Sequence, residues 1–218
     1  MTVELDNLTS REPTQARGRR RVSAIRDATL RLLASSGDIR AMKVSDVARE
    51  AGVAVGTIYH YFPSKEALLL DLRREIMDAA AHDLATSFAE RFRETGAFRD
   101  AMYVMVDRWV DLSLNYKGLA RGIQGLIFEN AAVAALIDAQ EEQLRMFVSR
   151  LIASYSWTLR PCDPDQSAFM LFTLVDAAVV RIMRDPTLAK RPRWVVDEVV
   201  RMLDHYLIPD TPEPSREP

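Results

Sequence analysis

Apolar side chains recur along this chain three and four residues apart, the interval that lines one face of a helix. Val22, Ile25, Thr29, Leu32 and Leu33 form one such stripe and predict a helix over about 20–36, ending near Gly37. A two-turn helix fits Ser45, a suitable N-cap, through Val47 and Ala51 to Gly52, the residue type that takes a left-handed cap without steric cost. A third short helix fits 54–61. Pro63-Ser64 then breaks the chain before a long helix from Lys65, striped by Leu72, Ile76, Ala80, Leu84 and Phe88. Further helices are predicted over 97–116, 119–128 and 131–154. After a loop, Asp163-Pro164-Asp165-Gln166 reads as a helix start with Asp as cap and Pro at the first helical position, and Asp185-Pro186 ends that helix. A last helix covers 193–207. With no strand-like alternation and no internal repeat, the expectation is an all-α protein of about nine helices.

The pattern also sets the expected domains. Residues 1–17 and 209–218 are polar or proline-rich and bury too little apolar area to offset the entropy of ordering, so both are expected to be flexible tails. Between them lie a three-helix module over 18–63 and a larger helical domain over 64–208. Charge sharpens this division. The net charge is −2, yet residues 11–65 hold 11 Arg and Lys against 5 Asp and Glu, leaving 18 basic and 26 acidic side chains elsewhere. A basic module suits a polyanionic partner, although a solvated charged surface gives the same imbalance.

The single cysteine, Cys162, and the absence of an apolar N-terminal segment point to a reducing, cytoplasmic compartment. The longest charge-free apolar-rich run, 166–175, is shorter than the roughly 20 residues that span a bilayer, so no membrane segment is expected.

Two short helices joined by a glycine turn and packed on a longer first helix make a helix-turn-helix. Its inner side would be supplied by Val44, Val47, Ala48, Val53 and Ile58, leaving Val55, Gly56, Thr57, Tyr59 and His60 to look outward. A glycine inside a helix costs about 1 kcal/mol relative to alanine, and an outward aromatic beside it is poor design for a surface that meets only water. A close partner accounts for both. Glycine lets a groove wall or phosphate approach, Thr57 offers a hydroxyl and a methyl group, and Tyr59 and His60 can donate to phosphate. The residues face DNA on this reading; the alternatives are a half-buried Tyr59 and a His60 with only a surface role.

The segment "VSDVAREAGVAVGTIYHYFPSKEALL" resembles the DNA-binding domain of the tetracycline-repressor (TetR) family of bacterial one-component regulators, and the likeness is dense over about 22–72. The resemblance implies that Ser45 caps the second helix beside a phosphate and that Val55, Gly56 and Thr57 face the major groove. It further implies that Tyr59 and His60 contact backbone and base edges, that Lys65 binds phosphate, and that Arg19, Arg20 and Arg21, preceding the first helix, reach phosphate or a minor groove. Many relatives carry a hydroxyl and a basic residue where this chain has Ala54 and Val55, which shifts base readout toward Thr57, apolar contact from Val55, or DNA shape.

For the larger domain the resemblance implies a small-molecule pocket and a homodimer formed by the last two long helices. Met102, Met105, Trp109, Phe128, Phe147 and Phe172 lie on stripes that should converge, either as an adaptable cavity or as plain core. Asp176 stands among apolar residues and is expected to orient a ligand, to pair with an arginine such as Arg121, or to bond across the dimer. The stripe Trp194, Val195, Val199, Met202 and Tyr206, with Val179 and Val180, would form the dimer interface.

Enzyme motifs are missing: there is no G-x-S-x-G, H-E-x-x-H, P-loop or G-x-G-x-x-G, and histidines at 60, 82 and 205 form no local metal pair. No catalytic residue, metal or cofactor is expected. The expected function is a repressor that binds a palindromic operator and is released by a small apolar or amphipathic effector. The competing reading is an architectural DNA-binding dimer without ligand control.

Overall fold

The computed structural model describes residues 7–36, 42–190 and 193–209; the expected helix end at Gly37 and the outer parts of both expected tails lie outside the described residues. Among the described residues every regular element is helical. The helices are α1 (Ala16–Ser36), α2 (Val44–Ala51), α3 (Val55–Tyr61), α4 (Lys65–Thr95), α5 (Phe98–Asn115), α6 (Lys117–Glu129), α7 (Ala131–Ser154), α8 (Pro164–Arg184), α9 (Pro186–Ala189) and α10 (Arg193–Leu207), with a 3-10 turn at Ser156–Thr158. The chain separates into two compact units, Met1–Ala79 with Asn115–Glu141 and Ala80–Leu114 with Glu142–Pro218. The divisions fall inside α4 and α7 and at the end of α5.

In the first unit, α1 presents Val22, Ile25, Ala28 and Leu33 to the core, where Leu68, Leu69 and Leu72 of α4 are also buried. α1 packs on α2 and on α6. At Gly118 of α6 an added Cβ would stand 2.8 Å from the Leu33 carbonyl oxygen of α1. A charged clamp joins α1 to α4: the Asp71 carboxylate, 2% exposed, takes Arg26 at 2.7 Å and Arg74 at 3.1 Å, and Arg26 also reaches Glu75 at 2.9 Å. Arg73 of α4 hydrogen-bonds Gln140 and Glu141.

Residues 7–15, expected as part of a tail, are held in place instead. Leu8 is buried, the Ser10 hydroxyl donates to Asp71 at 2.5 Å, the Arg11 N–H donates to the Tyr61 carbonyl at 2.8 Å, and Ser64 donates to the Asn7 carbonyl at 2.6 Å. One buried leucine and three hydrogen bonds supply what composition alone did not reveal.

In the second unit, Phe88, Phe92, Phe98 and Tyr155 meet edge to face with ring centroids 4.5 to 6.0 Å apart, a geometry favourable for aromatic quadrupoles. Asp163 caps α8 as expected, accepting from the N–H groups of Asp165 and Gln166 at 2.9 and 3.0 Å. Asp185 repeats this at Thr187 and Leu188, so the Asp-Pro pair read only as a stop also starts the single turn of α9. α8 buries Ala168, Leu171, Val175 and Val179 along one stripe, and α10 packs on it. α8 is long and apolar enough to pass for a bilayer span by length and composition, with a mean hydropathy of 1.5. Its buried stripe serves the core of this unit.

Candidate nucleic-acid interface and apolar cavity

The helix-turn-helix is built by α2 and α3. α2 buries Val47 and Ala48, and its end is fixed by Gly52 at φ 66°, whose backbone turn lets the Val53 N–H reach the Ala48 carbonyl at 3.0 Å. This is the left-handed cap anticipated for glycine. Arg31 of α1 braces α2 through Glu50 at 2.8 Å.

α3 is then oriented by what it buries. Ile58 and Tyr61 point inward, and the Phe62 that follows is 1% exposed. The helical period turns Val55, Gly56, Tyr59 and His60 outward together, with Thr57 half-buried at the edge. Tyr59 is 48% exposed, so its ring is not core. His60 lies edge-on to Tyr61, centroids 4.8 Å apart. A Cβ added at Gly56 would meet no atom within 4 Å, so nothing inside the chain requires a glycine there. Lys65 opens α4 half-buried, one residue after Ser64, whose hydroxyl accepts from the Ala67 N–H at 3.0 Å and caps the helix.

Two expectations about this face need correction. Ser45 is not the cap of α2; the helix begins at Val44 behind Lys43, whose extended backbone is the N-cap, and Ser45 sits exposed in the first turn. Arg19, Arg20 and Arg21 do not precede the first helix but lie within α1, where Arg19 donates to the Thr14 carbonyl at 3.0 Å. No apolar stripe marks that first turn, so periodicity placed the start too late.

The second unit holds a separate feature. Met105, Trp109, Phe147 and Phe172 converge with Leu84, Val175 and four more Leu and Val side chains around a cavity of about 40 Å³. No charged side chain lines it. Met102 is fully buried outside this lining. Phe128 is 89% exposed, because α6 buries Leu119, Gly122 and Ile123, and five residues past Ile123 the helix has turned away from that side. Asp176 is exposed and does not line the cavity; it shares the outer side of α8 with Phe169, opposite the buried stripe.

Of the residues expected at a dimer interface, Trp194, Met202 and Tyr206 are exposed and Val180 and Val195 half-buried. Val179 and Val199 are already buried within their own chain and have little left to offer a partner. Phe169 and Met170, which the sequence reading assigned to no surface, are more than half exposed on α8.

An acidic group on α5 and α10 also went unforeseen. Burial, and then the charge of Asp111, push the Asp107 carboxyl above the usual carboxylate range, while Arg193 opposes the shift. Burial also raises the Tyr103 hydroxyl, which hydrogen-bonds Asp197.

Comparison with known proteins agrees with this architecture. The family profile "Bacterial regulatory proteins, tetR family" matches residues 25–72, and "Tetracyclin repressor-like, C-terminal domain" matches 99–207. The HTH-type transcriptional repressor KstR of Rhodococcus jostii is 47% identical over 75 residues, covering 34% of this chain and 32% of that protein. The chain spans less than two thirds of the length of each of the other curated relatives it matches. Among solved structures, a TetR-family regulator from Mesorhizobium loti superposes with a TM-score of 0.74 at 15% identity over 89% of this chain and all of that one. The regulator FadR of Bacillus subtilis in complex with stearoyl-CoA gives 0.65 at 20% identity over 83% and 96%. A helix-turn-helix matched over 25–72 and a helical domain matched over 99–207 leave one assignment: the chain belongs to the tetR family of bacterial regulatory proteins.

Proposed function

We propose that this chain is a cytoplasmic one-component transcriptional repressor that binds a palindromic operator as a homodimer and releases it when a small apolar or amphipathic effector binds. The observation that carries the reading is the outward set Val55, Gly56, Tyr59 and His60 on α3, held by the buried Ile58 and Tyr61. A glycine free of any internal packing demand, beside an exposed tyrosine, suits a surface that a duplex approaches closely. Thr57 would face the major groove with Val55 and Gly56, Ser45 and Lys65 would add phosphate contacts, and Arg19, Arg20 and Arg21 would meet the backbone from α1.

The exposed Phe169, Met170, Trp194, Met202 and Tyr206 of α8 and α10 support dimerisation, since large apolar side chains left in water favour association. A two-fold axis would set two α3 helices in successive major grooves about 34 Å apart. Effector control would act through population shift: a ligand that fits one arrangement of the second unit better biases the whole dimer. KstR, named a repressor, supports the direction of the output.

Selection of bound duplexes from a random DNA pool, followed by affinity measurements across a salt series, tests this. A palindromic winner bound far more tightly than scrambled DNA is the expected result. Equal affinity for both, vanishing as salt rises, would leave an architectural binder instead.

A further inference from the structure

α3 ends at Tyr61, and Pro63 breaks the chain two residues on, so the Tyr61 carbonyl has no donor within its own helix. The residues before α1 supply one: the Arg11 backbone N–H donates to it at 2.8 Å. The same segment holds the start of α4, where the Ser64 hydroxyl accepts from the Ala67 N–H at 3.0 Å while donating to the Asn7 carbonyl at 2.6 Å. Ser10 donates at 2.5 Å to the Asp71 carboxylate oxygen that Arg74 reaches at 3.1 Å. Leu8 is buried, and a Cβ built at Gly18 of α1 would stand 2.8 Å from the Pro13 Cβ and 3.0 Å from the Tyr61 hydroxyl. Residues 7–13 thus tie α1, the end of α3 and the first turns of α4 together.

α3 depends on such ties. With 7 residues it is shorter than the roughly 12–15 that an isolated helix needs in water, so its orientation comes from what it is anchored to. The buried Tyr61 is one of those anchors, and the outward Tyr59 and His60 immediately precede it.

We infer that residues 7–13 form a strap that positions α3 for the operator, with the Arg11 backbone N–H and the Ser10 hydroxyl as positioning groups that touch no DNA themselves. The inference rests on the regulator reading proposed above.

Arg11→Pro and Arg11→Ala test it in the full-length protein, because both lack the guanidinium and proline alone lacks the N–H. Arg11→Pro should bind the operator selected from random DNA about tenfold more weakly than Arg11→Ala, the order expected of one buried carbonyl left without its donor. The slope of log affinity against log salt should be equal for the two, since no phosphate contact separates them. In the DNA-free protein, amide hydrogen exchange across α3 should be faster in Arg11→Pro, with the second unit unchanged. Ser10→Ala and Ser10→Thr form a second pair that serves where proline prevents folding: alanine should repeat the loss, and threonine, which keeps a hydroxyl, should restore it.

Equal operator affinity within each folded pair, equal exchange across α3 within each folded pair, faster exchange spread through both units, or a lower salt slope in Arg11→Pro would each overturn the inference. Exchange is read without DNA, so it separates the two ideas. Specific operator binding by the parent with no difference within the pairs sinks the strap alone, whereas the exchange difference without specific operator binding by the parent sinks the regulator reading.

Discussion

Arg26 on α1 and Asp71 on α4 form the clamp of the first unit, with the guanidinium 2.7 Å from a carboxylate that is 2% exposed. Removing one member of a buried pair strands the other without its partner, at a cost of about 3–5 kcal/mol. Arg26 retains Glu75 at 2.9 Å, so Asp71→Ala should cost about 3 kcal/mol, the lower end. Urea unfolding of the variant beside the parent checks this, and an unchanged midpoint would mean that the pair is solvated.

Gly118 and Gly56 should respond oppositely to alanine. At Gly118 the new methyl group meets the Leu33 carbonyl oxygen at 2.8 Å, and a backbone atom cannot swing aside. Gly118→Ala should therefore destabilise by about 1–3 kcal/mol, read as a lower melting temperature.

At Gly56 the methyl group enters open space, so Gly56→Ala should stabilise the fold by about 0.5–1 kcal/mol through helix propensity. The same variant should bind operator more weakly if a duplex approaches that backbone. Gain of stability with undiminished operator affinity would show that the glycine does not face DNA.

Tyr59 and Lys65 divide the proposed DNA contacts into two kinds. Tyr59→Phe removes one hydroxyl from a side chain that is 48% exposed, so folding should change by less than about 0.5 kcal/mol while operator affinity falls. Lys65→Ala should weaken binding to all sequences alike and lower the slope of log affinity against log salt by about 0.9, the signature of one phosphate contact. A slope equal to that of the parent would place Lys65 away from the backbone of the duplex.

Asp107 should make stability fall as pH rises. Burial and Asp111 raise its folded-state pKa above the ordinary value of 3.8, so the native state holds this proton to higher pH than the unfolded state does. The ionised carboxylate thus opposes folding above that window, and its cost is absent below pH 3.8. Asp107→Asn should melt higher than the parent at pH 7, with the difference shrinking toward pH 4. A variant that melts lower at pH 7 would show that the attraction of Arg193 outweighs burial.

The sequence by itself determined the long helices, apart from the first turn of α1, and the outward set on α3. Local rules suffice there: Gly52 can take a positive φ, Asp163 followed by Pro164 caps a helix, and a 3.6-residue period that buries Ile58 turns Tyr59 and His60 outward. Met105, Trp109, Phe147 and Phe172 were also drawn together from their stripes.

Only the tertiary structure decided which side of each stripe another element covers. Phe128 and Met102 looked alike in sequence, yet one is bare and the other sealed, because burial depends on neighbours far along the chain. The Asp71 clamp, spanning 45 residues to Arg26, and the Gly118 approach to Leu33 have no local signal either. Periodicity fixes which side chains share a face; packing between distant segments fixes what that face meets, and with it where a surface is left for a partner.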